Sequence, residues 1–168
     1  MIMRSFAMSD RQLIRDTFEK GRGILRLIPT FVPRRFGQAG QRLRLHPDDY
    51  YALGTNRGSI KERWFSSVQP AMNGELAPAD EGMSYVAVSD HIEDKILFKD
   101  VVDELGGEII GEKLMREYGT WPMYSKFFDY ATPLFHHLHL GFADAARVGF
   151  AGKPESYYFP PELNNYSG

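Results

Sequence analysis

The chain has 168 residues, 43% of them hydrophobic and 25% charged, and its 20 basic and 22 acidic side chains give a formal charge of −2. That length and balance fit a soluble domain with a real core, and they argue against a nucleic-acid partner held by bulk positive charge. The lack of cysteine excludes disulfides and thiolate metal sites. No apolar run is long enough for a secretory leader or a membrane span, so a cytoplasmic protein without a membrane partner is expected.

In chain order, SDRQLIRDTFEKGRG (9–23) predicts a short helix. Ser9 and Gln12 have capping-box spacing, Ile14 and Phe18 share a face, and Gly21 ends it. GILRLIPTFVPRRFG (23–37) reads as extended, interrupted by Pro29 and Pro33. The basic residues Arg34, Arg35, Arg42 and Arg44 read as solvated surface, with an anionic-ligand site as the alternative. His46-Pro47-Asp48-Asp49 has turn chemistry, with a competing assignment that pairs it with Lys61-Glu62 as the alternative. Lys61–Val68 and Met83–Val88 predict strands.

Asp90, with Glu93 three residues on, predicts the start of a helix whose stripe is Ile92, Ile96, Val101, Val102 and Leu105, stopped by Gly106-Gly107. A second helix over 108–119 places Ile110, Leu114 and Tyr118 four apart, with Gly119 as its C-terminal cap. Beyond Trp121-Pro122, the segments MYSKFFDY, PLFHHLHL and ESYYF predict three strands. Aromatics make up 14% of the chain, and many of them lie between short turn signals. Strands, a helical insertion and strands again argue for an all-β core carrying helices rather than an alternating parallel sheet.

Three histidines crowd into His136, His137 and His139. In a strand, residues two apart share a face, so His137 and His139 project together and His136 points away. Two such imidazoles reach one divalent ion at about 2.0–2.1 Å, and Glu155, across the glycine-containing stretch GFADAARVGFAG, supplies a carboxylate. A His-x-His pair in a strand is also commonly plain packing. On residue chemistry alone both readings stand.

The stretch WPMYSKFFDYATPLFHHLHL…GKPESYYF resembles the metal-binding core of the class I (type I) mannose-6-phosphate isomerases, zinc enzymes of the cupin superfamily. Trp121–Asp129, Phe135–Leu140 and Gly152–Tyr158 correspond to its successive motifs. PTFVPRRFG resembles the opening strand of that family, and KERWFSSVQPAMNG its Gly-Glu-x-Trp-x-Ser segment. The resemblance runs over roughly residues 29 to 160 and is tight over the last forty. It implies that His137, His139 and Glu155 bind zinc or another divalent metal. His137 stands where the family usually has Gln. Lys153 takes the place of the lysine that faces a sugar phosphate, and Ser66 that of the serine in Trp-x-Ser.

The implied reaction interconverts mannose 6-phosphate and fructose 6-phosphate by moving a proton between C1 and C2, with the zinc stabilising negative charge on oxygen and Lys153 adding positive charge. No residue stands out as the base. A non-catalytic sugar-binding or regulatory cupin, and a metal-dependent cupin of other chemistry, are the alternatives. The expected fold is mainly β with an α insertion: a cupin-like β-barrel or jelly roll, incomplete in this chain, with a helical segment. Residues 1–28 are expected to form a helical extension, and 29–168 the cupin-like domain with its insertion at about 90–119. The family's fourth ligand is a histidine on a later strand, and none follows His139, so a longer protein is expected.

Overall fold

The computed structural model describes residues 8–159 and 161. The chain divides into two compact units, Met1–Pro133 and Leu134–Gly168.

The first unit carries helix α1 (Met8–Lys20) and strands β1 (Leu27–Ile28), β2 (Thr30–Arg34), β3 (Ser59–Phe65), β4 (Tyr85–Ala87) and β5 (Lys95–Leu97). Helices α2 (Phe98–Ile110) and α3 (Glu112–Tyr118) and strand β6 (Ser125–Phe128) follow. The strands form two antiparallel three-stranded sheets, ordered β1-β4-β5 and β2-β3-β6. Among the described residues the architecture is therefore mixed α/β with two small sheets and no closed barrel, rather than mainly β. Pro33 fits inside β2 because the ladder to β3 shifts register between Val32 and Pro33, where a missing N–H does least harm.

One core lies between the helices and the first sheet. Ile14 of α1, Val68, Val86 and the α2 residues Phe98, Val101, Val102 and Leu105 are buried together, with Phe18, Ile96 and Trp121 against them. The α2 residues recur at the spacing of one helix face, and each full burial stabilises by about 1.5–3 kcal/mol. A smaller cluster, Val32, Trp64 and Ala71 with Tyr124, lies on the second sheet.

The expected helix start at Asp90 is displaced. Residues 90–94 form a turn held by local bonds: His91 N donates to Ser89 Oγ at 3.0 Å, Ser89 Oγ to Asp94 Oδ2 at 2.7 Å, and Asp94 N to His91 O at 3.0 Å. Such side-chain bonds compete with helix formation. Lys95–Leu97 then pairs with β4, Ile96 opposite Val86, and Ile92 is left exposed. Gly106-Gly107 does not stop the helix. Instead α2 kinks at Leu105 (φ −120°, ψ 15°) and continues to Ile110. These glycines admit the next helix closely, since a Cβ on Gly106 would lie 2.6 Å from Met115 Sδ. Gly119 caps α3 as expected, at φ 68° with its N–H on Met115 O.

In the second unit, helix α4 (Phe142–Arg147) occupies the stretch read as a turn. The flanking segments, 134–140 and 151–159, run without helix or strand and outside any ladder, so the two strands expected here are not formed as a paired hairpin.

Candidate metal centre

The second unit brings four of the five candidate residues together. Phe135, His137 and His139 alternate onto one side of the chain. The His137 ring lies 5.6 Å from that of Phe135 and 5.0 Å, edge-on, from that of His139. The shared face needs only the extended backbone and does not depend on ladder bonds. His137 Nδ1 meets Phe135 O at 2.9 Å. A proton on Nδ1 makes that bond and leaves Nε2 with its lone pair, the tautomer a metal ligand requires.

Glu155 arrives through α4 and the residues after it. Phe150 N donates to Ala145 O at 2.9 Å, folding the chain back past the helix end. Gly152 then passes the start of α4 so closely that a Cβ would lie 2.8 Å from both Phe142 N and Cα. The chain beyond it sets Glu155 Oε2 3.0 Å from His139 Nε2. Lys153 shares the Glu155 side of the chain by the same two-residue spacing, with Nζ 2.7 Å from Oε2 and 3.3 Å from His139 Nε2. Tyr157, two residues further, donates its hydroxyl to Glu155 Oε1 at 2.6 Å. The His139 and Glu155 side chains are 34% and 18% exposed, so the cluster is open to a solute.

An imidazole nitrogen and a carboxylate oxygen 3.0 Å apart can both touch one ion at about 2.1 Å, at an angle near 90°. His139 and Glu155 therefore supply two of the three or more donors that a zinc site takes, with the Lys153 ammonium against both. His137 is adjacent but does not close on the same point. Among the described residues no group of three His, Cys, Asp or Glu side chains is arranged around a common centre.

Ser66 lies in the first unit, one residue past the end of β3, in the left-handed region at φ 52°. Such a backbone costs a non-glycine residue roughly 1–2 kcal/mol. His46 serves the turn reading, its Nδ1 accepting from Asp48 N at 3.3 Å.

Sequence reasoning missed two groups. Tyr157 was detectable from its spacing to Glu155. The other is a buried charge cluster in the first unit. Glu62 on β3 is 2% exposed and accepts from Arg34 Nε and Nη2 (3.0 and 3.1 Å), Trp64 Nε1 (2.8 Å) and Tyr130 Oη (2.7 Å). Lys126 Nζ is 3.7 Å away. Burial pushes the Glu62 carboxyl up, but the bonds and charge of Arg34, with Lys126 and Tyr130, outweigh it and hold the group below the usual carboxylate range. Burial and the bond to Glu62 push the Tyr130 phenol well above its ordinary value. Lys61, on the same strand, donates from Nζ to Arg34 O at 2.6 Å, and burial lowers its pKa.

No family model matches this chain, and no curated protein or solved structure matches it. Among the described residues no helix is long and apolar enough to cross a membrane.

Proposed function

We propose that the protein is a metal-dependent aldose–ketose isomerase of cupin-like fold, interconverting mannose 6-phosphate and fructose 6-phosphate. The observation that supports this most directly is the convergence of His139 Nε2, Glu155 Oε2 and Lys153 Nζ within 3.3 Å of one another.

In this reading His139 and Glu155 hold a zinc ion, with His137 joining them through Nε2. The bound ion supplies a Lewis acid for the carbonyl end of the sugar. Tyr157 fixes Glu155 by binding Oε1, which leaves Oε2 directed at His139. Lys153 offers a flexible positive charge to the phosphate or to the enediolate that forms as the proton moves between C1 and C2.

Elemental analysis of purified protein tests the metal step. About one zinc per chain is expected in the wild type, and its loss in His139→Ala. A coupled assay with mannose 6-phosphate tests the reaction. Equal metal content in the two proteins would refute the site.

A further inference from the structure

The second sheet balances its charges differently on its two faces. Side chains alternate along β3, so Glu62 and Trp64 point one way and Arg63 and Phe65 the other. On the Glu62 face both Arg34 and Lys126 lie against a carboxylate. On the opposite face the Arg63 guanidinium lies between two rings, 5.4 Å from the centroid of Phe31 and 5.4 Å from that of Phe65. The ladders bring the group together, since Phe31 on β2 and Phe127 on β6 are the register partners of Arg63. Phe127 extends the patch edge-on to Phe65, with centroids 5.1 Å apart. Arg63 Nε is buried without a hydrogen-bond partner, and among the described residues no carboxylate pairs with this guanidinium. Phe127 is 61% exposed and Phe31 37%, so the patch is open.

We propose that this face of the second sheet docks a partner protein through a carboxylate side chain set between apolar neighbours. The carboxylate takes the Arg63 fork, and its neighbours cover Phe31, Phe65 and Phe127. Aromatic rings and arginine are the side chains that dominate the centres of protein interfaces. Stacking uses the flat face of a guanidinium and leaves its N–H edge unspent. Rings that hold the plane therefore prepare it for a two-bond contact to a carboxylate at little cost in ordering. Charge complementarity selects this occupant. A purely apolar partner would cover the guanidinium with nothing to meet its donors. A second copy pairing by two-fold symmetry would set guanidinium against guanidinium. The role lies in the first unit and stands apart from the metal centre.

The probe is a phage-displayed library of random dodecapeptides, selected on the immobilised whole chain with Arg63→Gln as the parallel bait. Peptides carrying Asp or Glu beside aromatic or aliphatic residues are expected to be enriched on the wild type and not on the variant. The recovered peptide, labelled and titrated by fluorescence anisotropy, should lose roughly tenfold or more in affinity when its acidic residue becomes the amide, and about as much on Arg63→Gln. Arg63→Lys should not restore binding, because a point charge lacks the planar fork. Phe127→Ser changes an exposed side chain, so it should keep the wild-type urea midpoint while binding weakens several-fold. No enrichment, equal recovery on both baits, or enriched peptides without an acidic residue would overturn the proposal. A wild-type dimer in sedimentation that Arg63→Gln abolishes would make a second copy the occupant instead. Arg63-dependent binding of oligothymidylate, tighter than any recovered peptide, would assign the face to nucleic acid and equally sink the acidic partner.

Discussion

Glu62→Gln removes one negative charge from the most buried ionic cluster of the first unit. In the wild type the Glu62 carboxylate faces the Arg34 guanidinium through two bonds of 3.0 and 3.1 Å, with Lys126 Nζ at 3.7 Å. Arg34, Lys126 and Glu62 side chains are 12%, 14% and 2% exposed. The amide keeps the shape and part of the bonding but removes the negative charge that faces two poorly solvated cations. Removing one partner from a buried pair costs about 3–5 kcal/mol, and the amide's residual bonds place the expected loss near the lower end, about 3 kcal/mol. That is a large share of the roughly 5–15 kcal/mol that stabilises a domain.

Urea unfolding of both proteins at pH 7 measures the difference, with equal slopes as the check on two-state behaviour. The acid limb supplies a second reading. The folded carboxyl titrates below its ordinary value, so its contribution is present above about pH 4.3 and is lost as pH falls through the folded pKa. The gap between wild type and Glu62→Gln should therefore narrow from about pH 4 downward. A loss under about 1 kcal/mol at pH 7, or a gap that stays constant into acid, would refute the idea that Glu62 balances these cations.

Two further outcomes concern the second unit. Tyr157→Phe removes the hydroxyl that binds Glu155 Oε1 at 2.6 Å and keeps the ring that stacks on Phe159 at 6.3 Å. Zinc affinity by chelator competition should fall about tenfold, as for other groups that orient a ligand, and an unchanged affinity would deny Tyr157 that role. Gly152→Ala places a methyl 2.8 Å from the backbone of Phe142, so residues 151–155 must move by an amount worth about 1–3 kcal/mol. Zinc uptake should drop several-fold in Gly152→Ala but not in Gly141→Ala, where a Cβ meets nothing within 4 Å and φ is an ordinary −66°.

What could be read from the sequence followed how local the cause was. His137 with His139, and Lys153 with Glu155 and Tyr157, share faces through a two-residue period, and the extended backbone keeps that period even without ladder partners. The stripe Val101, Val102, Leu105 was legible for the same reason, because it needs only the helical repeat. The helix start at Asp90 misled because Asp90 and Glu93 imitate a cap, whereas Ser89 and Asp94 bind each other and the intervening backbone. Gly106-Gly107 imitated a stop. Their absent side chains instead let Met115 and Glu112 of α3 approach α2, a tertiary cause that no local rule contains. Lys61-Glu62 shows the limit most sharply. Two adjacent charges in a strand suggest at least one solvated face, yet both are 2% exposed. What buries Glu62 is Arg34, paired from 28 residues away across the β2–β3 ladder, with Tyr130 from 68 residues away. The buried Lys61 ammonium is satisfied by backbone carbonyls, those of Arg34 at 2.6 Å and Ser59 at 3.4 Å. Each charge is harmless only once its distant partner is in place, so the stability of this cluster depends on the register of β2, β3 and β6 as a set. A slip of one residue in either ladder would turn Glu62 to the opposite face, away from Arg34 or Lys126. The cluster therefore selects one pairing of the sheet, and Glu62→Gln should loosen that register as well as lower stability.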